Sequence, residues 1–367
     1  MKRVVLTGGG SGGHVFPLLA VADELRSASN DIELFYCGPV GTFRAEFLGR
    51  EIKTCGILGS KLRRYISLAN LFEFPKFLVS LIQAFLKLLI IMPDGIFSKG
   101  GPGALAVVLA ARFYRIPVMI HESDAVPGLT NSLSARFAQK IGVAFEASIK
   151  HFPEEKTSCV GNPIRPAPLR GIPSAKDAKR FLGLNPESPT MLVLGGSQGA
   201  VRLNTFIAEN MEELLKIVQM VHQGGPANYK TMEEITRSIP NALKNRYKAI
   251  PFLSVEELRN AFAAADIVLS RAGSGAISEI AAFGKPALLV PLPESARDHQ
   301  RRNAYAYAHY GGAMVFEEAN LKTHLILDEI RSLLKNEERR SRMSEAAASW
   351  AKPNAAKEVA ADIMSLR

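Results

Sequence analysis

Three apolar, strand-like runs in this chain each end in a glycine-rich turn that opens a helical pattern. Val4–Thr7 runs into Gly8-Gly9-Gly10-Ser11-Gly12-Gly13-His14, Met191–Leu194 into Gly195-Gly196-Ser197-Gln198-Gly199-Ala200, and Ile267–Ser270 into Arg271-Ala272-Gly273-Ser274-Gly275. A strand–turn–helix unit of this kind belongs to a parallel α/β sheet. With no Cβ in the way, backbone N–H groups and a positive helix N-terminus can come up against phosphate. One such turn is a weak signal. Three, divided between two halves of the chain, indicate two facing nucleotide-type domains.

The 367 residues allow two full cores. Strand candidates in the first half are Lys2–Thr7, Ile32–Cys37, Gly95–Ser98, Pro117–His121 and Lys140–Ala144. Leu18, Leu19, Ala22 and Leu25 recur at helical spacing after the first turn, with Pro17 suited to an opening turn. The prolines at 153, 163, 166, 168 and 173 read as an interdomain linker. Alternation restarts with candidates Met191–Leu194, Ile217–His222, Ala249–Phe252, Asp266–Ser270, Ala287–Val290 and Ala313–Phe316. The tail after Pro353 is helical by composition, and pattern alone leaves its attachment open.

Cys37, Cys55 and Cys159 are an odd, scattered set without CxxC spacing, which suits a reducing compartment and three small buried side chains. Residues 3–7 read as a buried strand, not as the core of a secretory signal. A formal net charge of +10 favours an anionic partner, either nucleotide phosphate or an anionic membrane face. Scattered Lys and Arg without a recognition motif argue against nucleic acid. Residues 61–92 open with Lys61, Arg63 and Arg64 and continue into a long apolar run. Gln83 and Lys87 interrupt that run, so a membrane span is not expected. The segment reads either as a core helix or as an amphipathic surface that docks on lipid.

Gly8, Gly10 and Gly13 fit GxGxxG, with Glu33 at the place of a ribose-binding acid, which by itself suits a nicotinamide enzyme. His14 argues otherwise: at a helix N-terminus an imidazole tends to stay neutral and can serve as a base or a hydrogen-bonding group, unless it merely caps or packs. Ser197 offers a hydroxyl at another helix start, or an N-cap. Arg165 can meet a diphosphate as a bidentate donor or lie on the surface as a charge. Glu279, in the first turns of its helix, can accept both hydroxyls of a ribose or simply favour the helix dipole. Beyond Pro291, Asp298-His299-Gln300-Arg301-Arg302-Asn303 reads as a polar loop suited to a sugar. The chain has no Asp-x-Asp pair, no GxxxxGK[ST] loop and no HExxH, so neither a metal clamp nor an NTPase loop is indicated.

Gly9-Gly10-Ser11-Gly12-Gly13-His14-Val15-Phe16-Pro17 resembles the N-terminal signature of the MurG family of peptidoglycan N-acetylglucosaminyltransferases. The likeness continues through Ser98-Lys99-Gly100-Gly101, His121-Glu122, Pro127–Asn131, Gly161–Arg165, Gly195–Ala200, Ser270–Gly273, Ser278-Glu279, Asp298-His299-Gln300 and Asn303. The resemblance implies an α/β fold of the GT-B type, two Rossmann-like domains whose parallel sheets face across a cleft. Residues 1–163 would form an acceptor- and membrane-facing domain and 164–349 a UDP-sugar-binding domain. Residues 350–367 would be a C-terminal helix able to pack back on the first.

The implied reaction is metal-independent, inverting transfer of N-acetylglucosamine from UDP-N-acetylglucosamine to the 4-hydroxyl of undecaprenyl-diphospho-N-acetylmuramoyl-pentapeptide, at an anionic membrane face and without a cofactor. By position, Ser11, Gly12 and Gly13 would face phosphates, Arg165 and Ser197 the donor diphosphate, and the Leu253 amide uracil. Ser274 would lie in the donor site and Glu279 at the ribose. Asp124 and Gln300 would contact the sugar, and His14 would be the base or an orienting group. The chain departs from the family at Ser123-Asp124, where Gln-Asn is usual, and at Pro102-Gly103, where an aromatic residue usually follows the glycines. Another glycolipid transferase, a nicotinamide oxidoreductase and a non-catalytic sugar-nucleotide-binding module remain alternatives.

Overall fold

The computed structural model describes the chain apart from residues 61–67, 166, 196–199 and 226–227, and apart from the side chains of 68–72 and 229. Lys61, Arg63, Arg64 and Ser197 therefore lie outside the described residues. The chain forms two compact units, Met1–Arg165 with Lys352–Arg367, and Pro166–Ala351.

The first domain carries β1 (Lys2–Thr7), β2 (Ile32–Gly38), β3 (Lys53–Gly56), β4 (Gly95–Ser98), β5 (Val118–Glu122), β6 (Lys140–Val143) and β7 (Thr157–Cys159). Its helices are α1 (Gly12–Ala28), α2 (Arg44–Leu48), α3 (Leu68–Ile91), α4 (Ala104–Phe113) and α5 (Leu129–Ser134). The strands are parallel in the order β3-β2-β1-β4-β5-β6-β7. β4 and β5 are buried along their whole length, as expected of strands covered on both faces. Neither β3 nor β7 was expected from the sequence. Both are short edge strands with little apolar pattern, and β7 lies inside the proline-rich stretch read as a linker.

Two helices of this domain differ from the sequence reading. α1 opens at Gly12, inside the glycine turn, so Pro17 falls in the second turn rather than the first. α3 is both of the things it was weighed as. Ser80, Ala84, Leu88 and Ile91 are buried at helical spacing against the domain, and Phe85 meets Phe113 of α4 edge-on at 5.1 Å. Phe74, Leu78, Val79, Ile82, Leu86, Leu89 and Ile90 are exposed on it. By length and composition alone Glu73–Ile91 is apolar enough to cross a bilayer, but its inner face is committed to the domain core.

The second domain carries β8 (Thr190–Leu194), β9 (Gln219–Gln223), β10 (Tyr247–Ile250), β11 (Ile267–Ser270), β12 (Ala287–Leu289) and β13 (Ala313–Val315). Its helices are α6 (Ala175–Phe181), α7 (Val201–Glu209), α8 (Met211–Ile217), α9 (Tyr229–Ser238), α10 (Val255–Ala264), α11 (Ser274–Ala282), α12 (His299–Ala308), α13 (Thr323–Lys335) and α14 (Glu337–Trp350). The parallel order is β10-β9-β8-β11-β12-β13. The last helix, α15 (Ala355–Met364), returns to the first domain. Its Val359, Ala360 and Ile363 join the core with Leu18 and Leu19 of α1, and Lys2 Nζ donates to Met364 O at 2.7 Å.

Candidate active site

Ligands of open α/β sheets bind outside the carboxyl ends of the strands, where the strand order reverses. In the first domain that point lies between β1 and β4, and in the second between β8 and β11. The segments leaving these four strands begin at Gly8, Lys99, Gly195 and Arg271, so each of the three glycine-rich stretches of the sequence starts at a reversal. Gly100-Gly101 supplies the fourth turn.

In the first domain Ser11 is the N-cap of α1, with extended backbone at φ −104° and ψ 156°. Its hydroxyl does not cap the helix. It shares a hydrogen bond with His14 Nδ1 at 2.8 Å. The amides of Gly12 and Gly13 thus stand at a helix start with no acidic residue in the first turn, an arrangement suited to an anion. The turns after β1 and β4 are in close contact. A Cβ on Gly9 would stand 3.0 Å from both His14 Nδ1 and Pro102 Cδ, and one on Gly101 2.9 Å from His14 Nε2. Gly101 has φ +85°, so glycine there serves both the backbone and the space around the imidazole. Pro102, a departure from the family pattern, packs beside His14 against Gly9. Arg165 belongs to this domain, with its guanidinium 5.2 Å from the ring centre of Phe16 on α1.

Behind these turns lies a buried polar cluster that sequence reasoning noted only as motifs. Lys99 Nζ lies 2.7 Å from His121 Nδ1 and 3.2 Å from Asn162 Oδ1, and also donates to Ser123 Oγ. His121 Nε2–H donates to Gly161 O at 2.8 Å, which leaves Nδ1 to accept from Lys99. Burial holds the His121 imidazole well below its ordinary range and brings Lys99 down to about 7, against the opposing pull of Glu122 and Asp124. Burial also pushes Glu122 up, with the Asp124 carboxylate adding to the effect. Glu122 accepts from the Asp124 amide at 3.0 Å, the Gly128 amide at 3.0 Å and Asn131 Nδ2 at 2.9 Å. Asp124 O accepts from Ser148 Oγ at 2.6 Å. The cluster pins the 123–128 loop and with it Asp124. A sequence signal for it existed: the apolar run Val118-Met119-Ile120 ends in His-Glu, two polar residues at the carboxyl end of a buried strand.

Glu33 does not fit the ribose role. It pairs in register with Arg3 near the start of β2, at the opposite end from the glycine turn, and is ion-paired to Lys53 and Arg3.

In the second domain Arg271 N donates to Leu194 O at 3.3 Å, joining the ends of the two strands at the reversal. Gly273 is the N-cap of α11 and Ser274 its first residue. Glu279, the sixth residue, lies within the first two turns as expected, in the second of them, where the dipole effect has fallen off. Leu253 follows β10, and its amide donates to Gln223 Oε1 at 3.2 Å. Asp298–Asn303 is no loop: from His299 it is the first turn of α12. Arg297 and Asp298 before it take φ +58° and +55°, a strained pair for residues with a Cβ. They aim a helix start whose Gln300 accepts from the Leu292 amide at 3.1 Å. Leu253, Ser274, Glu279 and Gln300 thus all stand at the carboxyl side of the second sheet.

The two halves of the chain match the two halves of one family. Residues 4–143 fit the glycosyltransferase family 28 N-terminal domain, and residues 190–359 the glycosyltransferase family 28 C-terminal domain. The chain belongs to glycosyltransferase family 28. Among its relatives is a UDP-N-acetylglucosamine--N-acetylmuramyl-(pentapeptide) pyrophosphoryl-undecaprenol N-acetylglucosamine transferase of Lachnospira eligens, 39% identical over 335 residues that cover 91% of both chains. A transferase of the same description from Bacillus thuringiensis is 36% identical over 340 residues, 92% of this chain and 93% of the relative. The crystal structure of Acinetobacter baumannii MurG superposes with a TM-score of 0.75 at 27% identity, covering 99% of both chains. The family 28 fold is thus two parallel-sheet α/β domains of the GT-B class here as well.

Proposed function

We propose that this chain transfers N-acetylglucosamine from UDP-N-acetylglucosamine to the 4-hydroxyl of undecaprenyl-diphospho-N-acetylmuramoyl-pentapeptide, inverting the anomeric carbon and completing the lipid-linked disaccharide of peptidoglycan. The observation that carries this reading is that relatives sharing one activity match about nine-tenths of the chain. The two strand-order reversals support it, each presenting glycine turns and a helix N-terminus suited to phosphate.

His14 is the base in this reading. For Nε2 to take the proton of the acceptor hydroxyl, Nδ1 must carry its own proton and donate to Ser11, and the 2.8 Å contact suits that tautomer. The new bond runs from the acceptor oxygen to the anomeric carbon as the bond to the UDP oxygen breaks. Backbone amides at helix starts, Arg165 and Ser197 meet the charge of the departing diphosphate. Ser11, Gly12 and Gly13 hold phosphate in the first domain. Leu253 reads uracil once its amide leaves Gln223, Ser274 lines the donor site, Glu279 takes the ribose hydroxyls, and Asp124 and Gln300 contact the sugar.

Incubation with labelled UDP-N-acetylglucosamine and a short-chain muramoyl acceptor in the presence of EDTA should give labelled disaccharide-lipid. Intact UDP binding without transfer would refute the activity and leave a binding module. Glu279→Ala should raise the donor KM about 10–100-fold, the scale of hydrogen bonds to a charged group, and leave the acceptor KM nearly unchanged.

The exposed face of α3 supports peripheral attachment to the cytoplasmic side of an anionic membrane. Seven large apolar side chains on one helix exceed what scattered surface exposure explains. Ile82→Glu with Leu86→Glu should abolish sedimentation with phosphatidylglycerol vesicles while leaving UDP binding intact. Unchanged sedimentation would remove α3 from the membrane contact.

A further inference from the structure

We propose that Cys37 and Cys55 form a reversible thiol-oxidation site, with Cys55 the attacking thiol, Cys37 the resolving one, and a small disulfide such as oxidised glutathione the oxidant. Eighteen positions of sequence hide the pair, but the sheet closes that distance. Cys37 and Cys55 are in-register partners on the parallel neighbours β2 and β3, so both side chains leave the same face of the sheet. Adjacent strands run about 4.8 Å apart, and a disulfide spans Cα separations of roughly 4.4–6.8 Å, so in-register neighbours fall inside the Cα range a bridge requires. All three cysteines are free thiols in this structure.

The two members of the pair differ in ways that fit the two roles. Cys37 is fully buried in the core beneath α3, and its hydrogen bond with Cys55 together with burial pushes its thiol up. Cys55, on the edge strand, is partly exposed. The hydrogen bond from Cys37, with Lys87 of α3 nearby, brings Cys55 down to about 7 despite its burial. Among the described residues the charged group facing the pair is Lys87, and Tyr36 adjoins it on β2 with its phenol pushed up by burial. A partly exposed thiol with thiolate character beside a second thiol has the attributes of an oxidation-sensitive cysteine. Cys159 has neither: its thiol is pushed up by burial, and its Sγ approaches Ala144 O at 3.9 Å.

The chemistry balances with one disulfide oxidant. The Cys55 thiolate attacks one sulfur of oxidised glutathione, forming a mixed disulfide and releasing a glutathione thiolate. Cys37 gives up its proton and attacks Cys55 Sγ, which forms the Cys37–Cys55 bond and expels the second glutathione. Two protein thiols are oxidised, and one glutathione disulfide is reduced to two thiols. A bridge between immediate neighbours in a sheet, near an edge, belongs to the labile class that a reducing thiol pool reopens.

The test uses the reduced, full-length protein. Alkylation by iodoacetamide should modify Cys55 at least about 10-fold faster than Cys159, with a rate midpoint near pH 7. Oxidised glutathione should yield a Cys37–Cys55 linked peptide that dithiothreitol removes. Cys37→Ser should instead accumulate a stable glutathione adduct on Cys55, and Cys55→Ser should form neither adduct nor bridge, with unchanged far-UV dichroism in both variants. Equal alkylation of the three cysteines, or a wild-type glutathione adduct that persists without the linked peptide, would overturn the proposal.

Discussion

Lys99 and Arg271 hold equivalent places in the two domains. Each is the first residue after the strand across the reversal, and each donates its amide to the end of the other strand, Lys99 to Thr7 O at 2.9 Å and Arg271 to Leu194 O at 3.3 Å. Both side chains are buried, yet their surroundings differ. Lys99 donates to His121, Ser123 and Asn162, none of them a carboxylate. Arg271 is ion-paired with Glu318 at 2.5 Å and reaches Val290 O at 3.2 Å. The second domain therefore fixes its turn with a buried ion pair, which suits a rigid donor platform. The first fixes its turns with groups that can change protonation, beside the histidine assigned the proton transfer.

His14→Ala tests the division of labour most severely. It should lower kcat by about 10²–10⁴ and remove the ascending limb of the pH–rate profile, with the donor KM unchanged within about twofold. A donor KM that rises as far as kcat falls would end the distinction. Arg271→Met should cost about 1–3 kcal/mol in urea unfolding of the second domain, because it removes the buried partner of Glu318 and leaves that carboxylate only its pairing with the exposed Arg202. A loss under about 1 kcal/mol would make the two buried cations alike. Lys99→Met probes the opposite case. The Lys99 ammonium falls from 10.5 in the unfolded chain to about 7 on folding, so the unfolded state binds the extra proton between those values. Wild-type stability should therefore rise with pH across that window, by at most about 1.4 kcal/mol per pH unit, and the Met variant should lack the slope. Parallel stability curves for the two proteins would refute it. The smallest effect is local. Ser254 and Glu257 form a capping box at the start of α10, directly after Leu253, and Ser254→Ala should cost about 1 kcal/mol in thermal unfolding.

Much of the fold was legible because its signals are local. Apolar runs that end in glycine turns mark parallel strands, and among the described residues eleven of thirteen strands lie on or overlap expected ones. β3 and β7 escaped because an edge strand buries too little to need an apolar pattern. Asp298–Asn303 was misread because a helix start rich in charge looks like a loop. Of the site, Ser11 and His14 could be placed together from spacing alone, since a helix start brings residues three apart into contact. Lys99, His121 and Asn162 could not, because residues up to 63 positions apart meet only once β4, β5 and the segment after β7 lie side by side.

The sequence by itself determined that there are two parallel α/β domains, where their phosphate-type turns lie, and which histidine stands at the first. These follow from side-chain periodicity and from what glycine permits, both properties of short stretches of chain. The tertiary structure alone decided that α15 returns to the first domain, that a buried lysine is hydrogen-bonded to no carboxylate, that α3 turns an apolar face outward, and that Cys37 meets Cys55. Each of these depends on strand order and burial, which bring distant residues together and remove water from around them. The three turns that first marked the chain are thus joined by a fourth, Gly100-Gly101, and only the order of the strands reveals the pairing.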